Sequence, residues 1–179
     1  EGLKQGQLLV NVEKMDCVTF VEQIWALLQT NLVISQSKEP LSDQKKFELF
    51  MQYLNEIRYY NGKNQVWEDR IHYFTDALYG LKQKGKLQDI ASKHGTSFTK
   101  KINYLSSNRT KFKGFTNWNR ILEIEKKLTN LDRYYIPLED VPKYDSLAKD
   151  GDIIALATNV DGLDVSHCGI VTFKYNEVK

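Results

Sequence analysis

Apolar residues change their spacing along this chain, dividing it into a helical first part and a strand-forming last part. From Cys17 onward, Cys17, Phe20, Val21, Ile24 and Leu28 recur three and four positions apart, which predicts an amphipathic helix over residues 17–29. Asp16 is placed to cap it, and no glycine or proline interrupts it. A short apolar stretch over residues 8–12, broken by Asn11, precedes it. A second helix is predicted over 42–60, with Phe47, Phe50, Met51, Leu54 and Ile57 on one side and Asn61-Gly62 as the stop. A third is predicted over 71–84. Residues 85–118 are polar and poorly periodic, and read as a loop-rich insertion with room for one strand. Apolar residues then crowd into 152–158 and, after Asn159-Val160-Asp161-Gly162, into 166–175, which predicts an antiparallel pair of strands. Helices first and strands last favour an α+β fold over a parallel α/β sheet.

Composition sharpens this picture. With 179 residues and 41% apolar content, the chain suits one compact domain over residues 1–179. Three prolines, ten glycines and no low-complexity stretch argue against a disordered chain. No run approaches the ~18 consecutive apolar residues of a membrane helix, and the first residues lack a signal-peptide pattern, so no stable membrane insertion is expected. The first residue is Glu rather than Met, so a processed or trimmed start is expected, and a removed secretion signal is compatible with it.

The net charge of +2 hides an uneven distribution: residues 81–113 hold nine Lys or Arg and one acid, Asp89. With Phe98, Tyr104, Phe112, Phe115 and Trp118 nearby, this block could form a surface for an acidic or sugar-bearing ligand; a solvated basic face is the plainer alternative. No zinc-finger spacing or nucleic-acid-reading signature accompanies the charge, so nucleic acid is not expected as a partner.

Cys17 is the first candidate for chemistry. A thiol in the first turn of a helix lies near unpaired N–H groups and the positive end of the dipole, which favours the thiolate, whereas the Asp16 carboxylate would oppose it. A buried structural cysteine is the alternative. His167 shifts the balance, because an early cysteine on a helix and a distant histidine on a strand is the order of a papain-like nucleophile and base. Strand alternation puts His167, Gly169, Val171 and Phe173 on one face and Cys168, Ile170 and Thr172 on the other, so Cys168 reads as a core residue. A Cys17–Cys168 disulfide is a further alternative that would abolish nucleophilic chemistry. The histidines His72, His94 and His167 and the two cysteines show no metal-site spacing, so neither a metal nor another cofactor is expected.

Three strings, Asp16-Cys17-Val18-Thr19-Phe20-Val21-Glu22, Gly151-Asp152-Ile153-Ile154-Ala155 and Gly162-Leu163-Asp164-Val165-Ser166-His167-Cys168-Gly169-Ile170, resemble the DUF1460 family, a branch of the NlpC/P60 cell-wall hydrolases. Leu9-Val10-Asn11-Val12 and Asp69-Arg70-Ile71-His72-Tyr73-Phe74-Thr75-Asp76 add to the resemblance, which spans residues 8–171 in the same order. It implies a papain-like fold, a nucleophile helix packed on an antiparallel sheet, and cysteine-dependent hydrolysis of peptidoglycan or muropeptides outside the cytoplasm. It also implies Cys17 as nucleophile, His167 as general base and the Cys17 N–H as oxyanion donor.

The resembled superfamily usually carries Asp-Cys-Ser-Gly, whose Asp and Ser hold the free amine of an N-terminal alanine. Here Val18 and Thr19 replace the last two. The expected bond is therefore the N-acetylmuramoyl–L-alanine amide, where that nitrogen is acylated; a γ-D-glutamyl-diamino acid endopeptidase and a non-catalytic muropeptide-binding module are the alternatives. Asp16, Arg70, His72, Tyr73, Asp164 and Ser166 are the expected substrate contacts, with Asp76 nearby. For Arg70 and Asp76 the bland alternative is a surface ion pair. A third, orienting residue is implied on the strand after His167, and the sequence given stops at Lys179 shortly beyond, so either that sequence is clipped, as its start also suggests, or the orienting group comes from elsewhere.

Overall fold

The computed structural model describes residues 8–62 and 66–173. In chain order it holds α1 (Cys17–Gln36), α2 (Asp43–Arg58), α3 (Phe74–Gln83), the single turn α4 (Ala91–His94), β1 (Thr96–Phe98), the single turn α5 (Tyr104–Ser107), α6 (Trp118–Thr129), β2 (Arg133–Tyr135), the short α7 (Val141–Tyr144), β3 (Ile153–Ala157) and β4 (Val165–Ile170). The strands form two antiparallel ribbons, β1 with β2 and β3 with β4. The fold is α+β, as the order of periodicities predicts.

α1 outruns its predicted end by about two turns, because no breaker stands before Ser37, whose N–H closes the helix on the Ile34 carbonyl (3.2 Å). Its phase also differs from the prediction. Phe20, Ile24 and Leu28 face outward, while Val21, Glu22, Trp25, Ala26 and Gln29 face inward. The sequence of α1 is apolar nearly all round, so period alone does not choose the buried face. The same property gives α1 the length and composition of a membrane span, yet Glu22 lies inside the core on its inward face.

α2 begins as predicted at Ser42, whose hydroxyl accepts the Lys45 N–H (3.2 Å), and buries Leu54 and Ile57, while Phe47 of the predicted face stays exposed. α3 starts three residues later than predicted. Several elements have no counterpart in the sequence reading: α6, β2 and the short α7, together with the single turns α4 and α5 inside 85–118. Ile121, Ile124 and Leu128 give α6 a helical stripe that a longer scan would have registered, whereas β2 is too short to carry a pattern. Residues 85–118 do contain one strand, β1, and its partner β2 lies beyond them. The final strand ends at Ile170, short of its predicted range, with 171–173 outside regular structure and Lys174 and Tyr175 outside the described residues.

Three apolar clusters fill the interior. Trp25, Ala26, Leu54, Ile57, Ala77 and Leu81 join α1, α2 and α3. Ile102, Leu105, Phe115, Ile121, Ile124 and Leu128 gather around Tyr73. Val21, Phe74 and Cys168 fix α1 against β4, with Cys17, Ile153 and Ala155 at their margin. Four of the five aromatic residues in and beside the basic block thus pack in the core rather than on a ligand surface, while Phe98 lies half-buried on β1 against Tyr135. Phe115 is buried, Tyr104, Phe112 and Trp118 pack on its cluster, and the cations turn back onto them, Arg109 over Trp118 (4.9 Å) and Lys111 over Tyr104 (5.9 Å).

One polar network crosses these layers. Arg58 Nε donates to Glu22 Oε2 (2.7 Å), Arg58 Nη1 to the Leu9 carbonyl (2.8 Å), and Arg70 Nη2 to Glu22 Oε1 (3.3 Å), with the Glu22 and Arg58 side chains only 3% and 5% exposed. Arg58→Met should leave Glu22 underpaired in the interior and cost about 3–5 kcal/mol in urea unfolding. Changing both partners, Glu22→Leu with Arg58→Met, should recover most of that loss; a double variant as unstable as the single one would refute a desolvated ion pair as the cause.

Candidate active site

Cys17 is the first residue of α1, and the residues around it set its position. Asp16 Oδ1 accepts the Thr19 N–H (2.7 Å) and hydroxyl (2.8 Å), while the Asp16 N–H donates to Thr19 Oγ1 (3.0 Å), a reciprocal capping box. Burial opposes the Asp16 charge, but the Thr19 donors, the Arg70 guanidinium and the Val18 N–H outweigh it and hold the carboxyl below its ordinary range. The cap leaves one helix-terminal donor over: the Cys17 N–H meets no acceptor among the described residues. Gln23 Nε2 donates to the carbonyls of Asn11 and Thr19 (both 3.2 Å) and ties the segment before the cysteine to the same helix end.

β4 lies against this end of α1. Its register with β3 pairs Ala155 with Cys168, Leu156 with His167 and Ile154 with Gly169, with an irregularity at Leu156/Ala157. Cys168 therefore faces inward and His167 outward, as strand alternation predicts. Cys17 is half-buried on the Cys168 side. Both thiols are free, and burial together with the adjacent Cys17 pushes Cys168 up to about 12. His167 is exposed beside Leu156 and Ile154. The structure thus brings Cys17 to the strand that carries His167, but no hydrogen bond joins the two among the described residues.

The other expected contacts part company. Arg70 stands beside the Asp16 cap and is held by Glu22, so its ion pair is not the surface one with Asp76. Asp76 is buried, receiving the Tyr60 hydroxyl and the Lys127 ammonium (3.4 Å). His72 Nε2 donates to the Trp67 carbonyl (2.8 Å), and its ring meets Phe115 edge-on at 4.9 Å. Tyr73 lies in the core at 2% exposure; its hydroxyl donates to Glu125 (2.7 Å) and accepts the Leu105 N–H (3.1 Å), which removes it from any surface. Asp164 is buried too, and its Oδ2 accepts the Thr75 N–H (2.8 Å) and hydroxyl (3.0 Å), capping α3, which has no side-chain cap of its own. Ser166 is exposed at the strand irregularity, its hydroxyl 3.4 Å from the Leu156 carbonyl. Sequence spacing cannot separate such internal uses of polar groups from ligand contacts.

An α+β frame that sets a thiol at a helix start against a histidine-bearing strand is the kind of arrangement amide hydrolases use. The chain belongs to the AmiA-like family, described as N-acetylmuramoyl-L-alanine amidase-like, which matches residues 1–179. Among solved structures, an N-acetylmuramoyl-L-alanine amidase from Bacteroides uniformis at 1.30 Å resolution superposes with a TM-score of 0.79 at 30% identity, covering 94% of this chain and 70% of that one. A second crystal structure of an amidase from that organism, at 1.07 Å, gives 0.79 at 31% identity, covering 94% and 69%. A protein described as a candidate xylanase from Bacteroides fragilis is as similar, with a TM-score of 0.79, 29% identity and coverage of 94% and 72%. No curated protein matches the chain.

Two measurements bear on this geometry. Iodoacetamide at pH 8 should label Cys17 well ahead of Cys168, as read by peptide mass mapping, because Cys168 is buried and its thiol is displaced upward; faster labelling of Cys168 would contradict the arrangement. Burial among its neighbours lowers His72 from 6.5 to about 4, so the unfolded chain takes up this proton at a higher pH than the folded one. The stability His72 contributes is present above pH 6.5 and is lost as the pH falls toward 4. The Tm of a His72→Phe variant should accordingly fall less than that of the parent across this window.

Proposed function

We propose that this chain forms one catalytic domain of papain-like, NlpC/P60 type, a cysteine-dependent hydrolase that cuts the N-acetylmuramoyl–L-alanine amide of peptidoglycan fragments outside the cytoplasm, where that polymer lies. The observation that carries this reading is Cys17 at the start of α1, its own N–H unpaired among the described residues, beside the strand of His167 in a chain whose whole length matches an amidase-like family.

In this reading the Cys17 sulfur attacks the lactyl carbonyl of the muramic acid and its proton passes to His167. The Cys17 N–H donates to the oxyanion. Collapse of the tetrahedral species breaks the C–N bond; His167 returns the proton to the departing alanine nitrogen, leaving a lactyl thioester. Water, deprotonated by His167, then hydrolyses it and restores the thiol. The step requires the imidazole within about 3 Å of the sulfur, so His167, which leaves β4 on the face opposite Cys168, has to turn toward the Cys17 end of α1 in the substrate complex.

The capping box favours the amidase over the endopeptidase. Asp16 Oδ1 is already committed to the Thr19 N–H and hydroxyl, which leaves the carboxylate less able to hold a free alanine amine, and Val18 supplies no hydroxyl. A glycosidase would need two accessible carboxylates flanking a sugar bond. Glu22, Asp76, Glu125 and Asp164 are buried and bound internally, and Glu68 accepts from Thr116 and from the Asn117 N–H (2.6 Å), so none of these five is free to flank a sugar.

Mass spectrometry of products from defined disaccharide-peptides tests the proposal. The parent and Cys168→Ala proteins should release intact stem peptide, while Cys17→Ala and His167→Ala should each lose at least about 10³-fold in rate. Cleavage within the stem would select the endopeptidase. Binding without cleavage would select the non-catalytic module, and xylo-oligosaccharide turnover would overturn both.

A further inference from the structure

A concave feature that the mechanism does not use lies at the turn between β3 and β4. It is a cleft of about 420 Å³ lined by Thr99, Lys100, Lys101, Asn103, Asp161 and Gly162, within the size range of small-ligand sites. Two chain segments build it. The Gly162 carbonyl accepts the N–H groups of Asn103 (3.1 Å) and Tyr104 (3.0 Å), and Ile102 bridges to Gly162 in parallel. Gly162 has φ +73°, and a Cβ there would stand 2.5 Å from Asn103 Oδ1 and 2.7 Å from the Tyr104 nitrogen, so the walls meet through a position that only glycine fits.

Charge distinguishes this cleft. The Lys100 ammonium donates to the Thr158 carbonyl, which holds the side chain across the hairpin. Lys101 is exposed and, like Lys100, makes no ion pair among the described residues. Asp161 is the one carboxylate among the lining residues, so two cations face one anion, and the Asn103 amide and Thr99 hydroxyl add neutral hydrogen-bonding groups. Gly162 precedes His167 by five positions, which at strand rise keeps the cleft within about 17 Å of that residue. A peptide leaving the scissile amide covers that distance in about five residues.

We infer that this cleft is the subsite for the peptide portion of the substrate, with Lys100 and Lys101 receiving a free carboxylate of the stem. This rests on the muropeptide reading above and adds to it the part of the substrate that is recognised. A carboxylate ligand would give Lys101 the anionic partner it lacks, and Asp161 would repel it at shorter range than the bulk charge attracts it.

Calorimetric titration of the Cys17→Ala protein tests this without hydrolysis. The probes are the tetrapeptide L-Ala-γ-D-Glu-L-Lys-D-Ala with free carboxylates and the same peptide with its carboxylates amidated. The acid form should bind about tenfold more tightly, as expected for a charge-assisted contact in a partly desolvated cleft. That preference should vanish in Cys17→Ala/Lys101→Glu, an exposed substitution, and grow in Cys17→Ala/Asp161→Asn. Equal affinity for the two peptides, or a preference that survives Lys101→Glu, would overturn the subsite. Acid-selective binding by a protein that cleaves no muropeptide would uphold the subsite and sink the amidase reading; cleavage without acid selectivity would do the reverse.

Discussion

The buried contact of Glu22 with Arg58 and Arg70 is the constraint on which the candidate site depends. Glu22 sits one turn into the helix that starts at Cys17, Arg58 ends α2, and Arg70 opens the segment that leads into α3. A carboxylate taken out of water must find donors, so the rotation of α1 about its axis is fixed once Glu22 points at Arg58. That rotation turns Val21 and Cys17 toward β4 and leaves Phe20, Ile24 and Leu28 outside. An ion pair thus chooses between two faces that hydrophobicity alone leaves nearly equivalent.

The same economy recurs in the strand that carries His167. Asp164 caps α3 from across the fold and so fixes where β4 begins, while Gly162 clamps the preceding turn against Asn103 and Tyr104. Between them, the segment from 162 to 164 has little freedom, and His167 follows directly. Tyr73 and Glu125 do comparable work one layer away, satisfying each other and the N–H groups of Leu105 and Ser106. Polar residues near the candidate site mostly position the strand and the helix, while Asp16, His167, Ser166 and Lys101 are exposed and Cys17 and Lys100 are half-buried.

The two cysteines show how position separates identical chemistry. Cys168 is enclosed by Val21 and Phe74, where a thiolate would lack solvation. Cys17, a short distance away, lies half-exposed at a helix terminus whose capping box consumes the Thr19 donor and leaves the Cys17 N–H without an acceptor among the described residues. One sulfur serves packing and the other is open to an electrophile, although their side chains adjoin.

The sequence by itself determined the α+β order, the start of α1 at the Asp16 cap, the start of α2 near Ser42, the β3–β4 hairpin and the inward turn of Cys168, because each follows from spacing or turn chemistry within a few residues. The family resemblance was likewise carried by local strings around Cys17 and His167. Only the tertiary structure decided which side of α1 is buried, that Tyr73, Asp76 and Asp164 are internal, that Tyr104, Phe112, Phe115 and Trp118 pack in the core, and that Lys100 and Lys101 line a cleft. Those outcomes rest on partners tens of positions away, Glu22 with Arg58, Tyr73 with Glu125 and Thr75 with Asp164. A polar side chain carries no local mark that tells a distant partner in the fold from a ligand, and burial alone settles which it meets.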